Sequence, residues 1–146
     1  MSKLRRYFAS GQICFVTTVT HERRPILIAN IDILKQAYRA TRKARKFEII
    51  GWVVMPDHIH ALVHCPDGDF SMAMTIFKRS FAYWYNLRTK QTGRVWQHRF
   101  YDHIIRTESE ILKIRDYMHM NPVRRGLTNL PEEWQWSSIK RRRIGS

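Results

Sequence analysis

The chain has 146 residues, 44% of them hydrophobic, with 26 Lys and Arg against 12 Asp and Glu, a formal charge of +14 and a pI near 10.5. That length suits one domain with a proper core, and that charge gives sequence-independent affinity for polyanions. No apolar run reaches the roughly 18 residues of a membrane span and no secretory h-region opens the chain, so a cytoplasmic, nucleoid-associated protein is expected. Taken in order, residues 12–20 are β-branched and extended, and Cys14 among them is expected to be a buried thiol. Residues 31–46 read as a helix with Asn30 as its cap and Ile31, Leu34 and Tyr38 on one stripe. Residues 47–55 and 58–65 are strands joined by the short Pro56-Asp57 link, hence antiparallel neighbours. Cys65 ends the second, with no spacing to Cys14 that suggests zinc or a disulfide framework. Pro66-Asp67-Gly68-Asp69 is a turn. A long helix over 71–88 carries Phe77, Phe81, Trp84 and Tyr85 on or near its apolar side, and residues 100–106 form a strand.

The last helix opens at Thr107, with Glu110 at the third helical position, a capping box. Ile111, Ile114 and Met118 recur at helical spacing, and the pattern must end at Asn121, because a proline disfavours the α conformation in the residue before it and Pro122 follows. Gly126 closes the next turn. The order strand, helix, strand, strand, helix, strand is the α+β, ferredoxin-like split βαββαβ antiparallel sheet, here with an added C-terminal helix that bears Tyr117. No linker, repeat or composition break divides the chain, so residues 1–146 are one domain with a basic tail over about 137–146.

Two places carry chemistry. His58 and His60 lie two apart in a strand and so point to the same face. Side by side, two imidazoles can hold one divalent cation and leave its other positions open; the blander alternative is a pair of half-buried strand histidines. Ile59, Ala61 and Val63 form an apolar face, while His58, His60 and His64 line the other. On the last helix Tyr117 and Asn121 sit four apart, on one face. They would present a phenol that can attack together with an amide oxygen that can bind a hard cation. Each also has an ordinary use, Tyr117 in packing and Asn121 as a C-terminal cap.

His58-Ile59-His60 resembles the HUH motif (His, hydrophobic, His) of single-tyrosine HUH transposases. The run from Tyr117 through Met118-His119-Met120-Asn121-Pro122-Val123-Arg124-Arg125-Gly126 to Leu127 is similar to the Tyr-Ile-His-x-Asn-Pro-Val-Arg-x-Gly-Leu signature of their branch called REP-associated tyrosine transposases. Trp96-Gln97-His98-Arg99-Phe100-Tyr101-Asp102 resembles that branch's Trp-Gln-x-Arg-Tyr/Phe-Tyr-Asp segment, and residues 15–25 resemble its first strand and loop. The resemblance covers residues 14–136 and implies one HUH transposase-like domain. It further implies Mg²⁺ or Mn²⁺ on His58, His60 and Asn121, and attack by Tyr117 on a phosphate of single-stranded or hairpin DNA. A covalent 5′-phosphotyrosine and a free 3′-hydroxyl would result, and the reverse reaction would rejoin strands. A tyrosine hydroxyl, with pKa about 10, is a poor nucleophile unless helped, and a cation on the scissile phosphate supplies charge neutralisation and orientation. No Walker-type phosphate loop is present, in keeping with a reaction that needs no nucleotide.

Basic residues cluster at Arg42 and Lys43 within 39–46, at Lys78 and Arg79, at Arg124 and Arg125, and at Arg141 and Arg142 within 140–143; Arg99 lies in the Trp-Gln segment. All are candidates for DNA contact, and for the first cluster a solvated helix face is the plain alternative. Trp134 and Trp136 could stack on bases beside the last cluster, although a place in the core suits them slightly better. Two other functions compete: a non-catalytic ferredoxin-like nucleic-acid-binding domain, and a zinc hydrolase on His58, His60 and His64, which lacks a well-placed carboxylate base. Monomer and homodimer are both compatible with the sequence.

Overall fold

Alternating side chains in the first and third strands build the centre of the sheet. The computed structural model describes residues 11–139, in the order β1 (Gln12–Val19), α1 (Ile31–Ala44), β2 (Glu48–Val54), β3 (His58–Cys65), α2 (Phe70–Thr89), β4 (Tyr101–Ile105) and α3 (Glu108–Arg124). The sheet order is β2-β3-β1-β4 with every neighbouring pair antiparallel. This is the expected split βαββαβ arrangement.

Helices cover both faces. On one, Cys14, Val16, Ala61, Val63 and Cys65 meet Phe47 and Phe70, while Val54 meets Leu34, Ala37, Phe81 and Tyr85 of α1 and α2. Burial raises the Cys14 thiol to about 11 and the Cys65 thiol to about 12, so both stay protonated and inert. On the other face, Ile13, Val53, Leu62 and Ile105 pack against Ile111 and Met118 of α3. The face that bears the histidines therefore also holds core, because Leu62 between His60 and His64 is fully buried. α3 crosses close to β2 at Gly51, where a Cβ would lie 3.3 Å from the Met118 methyl.

Several local expectations shift. Asn30 stands at the N-cap position of α1 but its side chain makes no capping bond: its amide donates to the Ile26 carbonyl and accepts from Arg88. The buried stripe of α1 is Ile33, Leu34, Ala37 and Thr41, with Ile31 and Tyr38 only partly covered. Trp84 is exposed. Thr107 does cap α3 by accepting from the Glu110 N–H, but Glu110 reaches back to the Arg106 N–H, one residue before the box's partner.

The largest shift is at the end of α3. The helix does not stop at Asn121; it carries Pro122 inside and runs to Arg124. Its stop is a Schellman motif, with the Leu127 N–H donating to the Pro122 carbonyl and the Gly126 N–H to the Val123 carbonyl, and Gly126 at φ +73°. Left-handed backbone is what glycine supplies at this position. Asn121 is thus inside the last full turn rather than capping it, and its side chain is available for another use. After α3 the chain returns along the β2 edge, where Ser137 bridges Val53 and the Trp136 carbonyl accepts from the Val54 N–H. The Trp134 indole donates to the Val54 carbonyl and Trp136 packs against the α1–α2 core, so both tryptophans are structural. No helix among the described residues is long and apolar enough to cross a membrane.

Candidate active site

Antiparallel register places His58 opposite Val19 and His60 opposite Thr17 on the central strand pair, facing α3. The His58 and His60 ring centroids are 4.8 Å apart, and the Tyr117 ring centroid lies 6.0 Å from that of His60. Asn121, buried one turn beyond Tyr117, joins them in a cleft of about 250 Å³. The two halves anticipated separately, one on β3 and one on α3, meet within a single chain. A second cavity, about 260 Å³ behind the sheet, is lined by hydrocarbon such as Val16, Leu34, Ala61 and Phe77. It brings no pair of ligating groups together, so the chemistry belongs to the polar cleft.

Each imidazole is held by its Nδ1. His58 Nδ1 lies 2.7 Å from Asp57 Oδ1, and His60 Nδ1 lies 2.7 Å from Thr17 Oγ1. His60 also stacks on Phe15 at 5.3 Å. With Nδ1 committed on both rings, Nε2 is the nitrogen left to bind a ligand. Burial lowers the pKa of His58, against the pull of Asp57. Burial, helped by the positive charges of Arg124 and Arg125, lowers His60 to about 3. Neutral imidazoles are the form that ligates metal. No hydrogen bond ties the Asn121 amide to another described residue. Two imidazoles and one amide oxygen are a donor set that can hold one divalent cation and leave its remaining positions to water or substrate.

Tyr117 is half exposed. The Arg124 guanidinium stands over its ring at 4.2 Å and donates to the Tyr117 carbonyl at 2.7 Å. That pair of contacts fixes both the ring and the cation beside it. Arg125 is also in the cleft. Of the other basic candidates, Arg99 and Arg79 are exposed, whereas Lys78 is half-buried and donates to the Gln97 carbonyl, bracing the segment before β4. Arg42 and Lys43 are exposed in the last turn of α1, on the layer behind the sheet. Arg141 and Arg142 lie outside the described residues.

Three residues of the site went unforeseen. Thr17 reads as one more β-branched strand residue, Asp57 as half of the short link between two strands, and Arg23 as loop. Arg23 lines the cleft from a backbone held at φ 52°, after Glu22 at φ 56°, and bonds Asp57 Oδ2 at 2.9 Å. Such strain in non-glycine residues tends to gather at functional sites. His64 takes no part: it is four residues beyond His60, about 13 Å along a strand. Among the described residues no three of His, Cys, Asp and Glu come together as a metal cluster. The zinc-hydrolase alternative loses its site. The open aromatic sheet face that a ferredoxin-like RNA-binding domain would use is covered here by α3.

Residues 10–121 match the family described as "Transposase IS200 like", a span that contains His58, His60, Tyr117 and Asn121. Over 144 residues the chain is 33% identical to the REP-associated tyrosine transposase of Escherichia coli K12, covering 97% of this chain and 84% of that protein. A second curated relative, from Haemophilus influenzae, is 31% identical over 153 residues, covering 97% of this chain and 87% of its own length. A solved structure of a REP-associated tyrosine transposase bound to a REP hairpin matches with a TM-score of 0.83 at 31% identity, covering 97% of this chain and 84% of that one.

Proposed function

This chain belongs to the IS200-like transposases, in the branch of the REP-associated tyrosine transposases, and we propose that it cuts and rejoins single-stranded DNA with Tyr117 as nucleophile. The observation that carries the proposal is the convergence of Tyr117, His58, His60 and Asn121 on one cleft. The Tyr117 oxygen attacks the scissile phosphorus, the bond from phosphorus to the 3′ oxygen breaks, and the phenolic proton leaves to solvent. The released 3′ oxygen takes up a proton, and the 5′ phosphate stays on Tyr117. Attack by a 3′-hydroxyl on that phosphotyrosine reverses the step and seals a strand. His58 Nε2, His60 Nε2 and the Asn121 amide oxygen would hold Mg²⁺ or Mn²⁺, which when bound neutralises charge on the phosphate and orients it. Arg124 fixes the tyrosine ring, and its remaining N–H donors, with those of Arg125, suit the phosphate oxygens.

The direct test uses a hairpin oligonucleotide with a single-stranded flank. Labelled at its 3′ end, it should leave the label on the protein after denaturation; labelled at its 5′ end, it should not. The opposite polarity, or no adduct with either label, refutes the mechanism.

The substrate proposed is a hairpin, the kind of DNA named for the matched structure, together with a short flanking single strand. With a charge of +14, most affinity should come from phosphate contacts and fall steeply as salt rises. A preference for the hairpin over duplex or unstructured strand should persist, since base and shape contacts lose less to screening. Competition binding across a salt series reads this. A duplex that wins, or a preference that vanishes at moderate salt, assigns the protein to generic nucleic-acid binding.

A further inference from the structure

We propose that Asp57 is a positioning residue that fixes His58 in the tautomer able to ligate through Nε2. Its Oδ1 lies 2.7 Å from His58 Nδ1, so the imidazole donates that proton to the carboxylate and turns its Nε2 lone pair to the cleft. The Asp57 side chain is only 14% exposed, and a carboxylate so covered needs positive charge beside it. Arg23 supplies it on Oδ2 at 2.9 Å, and Arg125 approaches Oδ1 at 3.8 Å. The turn itself is held by the backbone: the Thr20 N–H donates to the Asp57 carbonyl, and the Leu27 N–H donates to the Pro56 carbonyl. The Asp57 side chain is therefore not required to shape the turn, and its contacts are spent on His58 and the two arginines. A carboxylate behind a ligating histidine fixes the ring and strengthens it as a donor. His60 receives the weaker version, a neutral hydroxyl from Thr17 at 2.7 Å, so the two histidines are supported unequally.

The importance of this contact rests on the metal-dependent cleavage proposed above, but its test does not. In ¹⁵N-histidine-labelled protein without metal or DNA, His58 should carry its proton on Nδ1. Asp57→Ala should move that proton toward Nε2, and Asp57→Asn, which keeps the shape and an uncharged acceptor, should fall between. Mn²⁺ titration of the same proteins should show affinity falling tenfold to a hundredfold in Asp57→Ala, and by less in Thr17→Val. High Mn²⁺ should restore most single-turnover cleavage in Asp57→Ala, and none in His58→Ala. An unchanged His58 tautomer together with unchanged Mn²⁺ affinity in folded Asp57→Ala overturns the inference; should that variant not fold, Asp57→Asn decides by the same readings. If the wild-type protein takes no Mn²⁺, the metal-dependent mechanism fails, while the tautomer comparison still decides the role of Asp57.

Discussion

Tyr117→Phe should abolish strand cleavage and the covalent adduct while leaving DNA binding within about fivefold. Removing a nucleophile costs roughly 10⁴ to 10⁶ in rate, because no neighbouring group can form the bond in its place. Binding loses only one half-exposed hydroxyl, and a single hydrogen bond is worth about 1 kcal/mol at most in such a setting. The phenylalanine ring keeps its seat beneath Arg124, whose contacts are to the ring and to the backbone carbonyl. The structure narrows the rival tyrosines. Tyr85 is buried against Phe81, and Tyr83 is on α2, behind the sheet. Tyr101 is the serious competitor: it is exposed, it pairs with Thr17, and Thr17 pairs with His60, so all three share one face. Two strand spacings separate Tyr101 from His60, about 10 Å, against 6.0 Å between ring centroids for Tyr117. Peptide mapping of the adduct decides between them. A linked Tyr101, or an adduct that survives in Tyr117→Phe, removes Tyr117 from the role.

What the sequence made legible follows the reach of its periodicities. Residues i and i+2 of a strand, or i and i+4 of a helix, share a face whatever the tertiary fold. His58 with His60 and Tyr117 with Asn121 could therefore be paired in advance. The meeting of the two pairs was implied only by the family resemblance, since nothing local fixes where α3 lands on the sheet. The proline rule misplaced the helix end because it is a bias of the residue before proline. A buried Pro122 and a Schellman stop at Gly126 outweighed it. Asp57 was hidden by its neighbour: Pro56-Asp57 reads as a short link between strands, and its bond to His58 shows only when the link is built. Arg23 was hidden further, since it reaches Asp57 across 34 positions from a left-handed backbone that its residue type does not suggest. The tryptophans near the end were legible in kind: apolar and close to the last elements, they closed the β2 edge rather than opening a stacking surface.

His58→Ala and His60→Ala should each collapse cleavage by well over a hundredfold, beyond the tenfold to hundredfold typical of losing a supporting partner. Chelator should stop the wild-type enzyme, and Mg²⁺ or Mn²⁺ should restart it. The two variants differ in their structural cost. His60 stacks on Phe15 and is bonded to Thr17, so its truncation leaves a void beside a core aromatic and costs roughly 1–3 kcal/mol of stability. His58 is bonded to Asp57, and its loss leaves that carboxylate with its arginine partners. Thermal melts and retained DNA binding separate lost ligation from lost fold, since phosphate affinity depends on basic residues that neither change touches. Asn121→Ala should be milder, because an uncharged amide oxygen is the weakest of the three ligands and water can take its place. The ranking is as diagnostic as the losses. Were Asn121→Ala as damaging as either histidine variant with the fold intact, the amide would be doing more than ligation. Full activity in chelator would mean that the histidine pair holds no metal during the reaction, and that Tyr117 acts with the arginines alone.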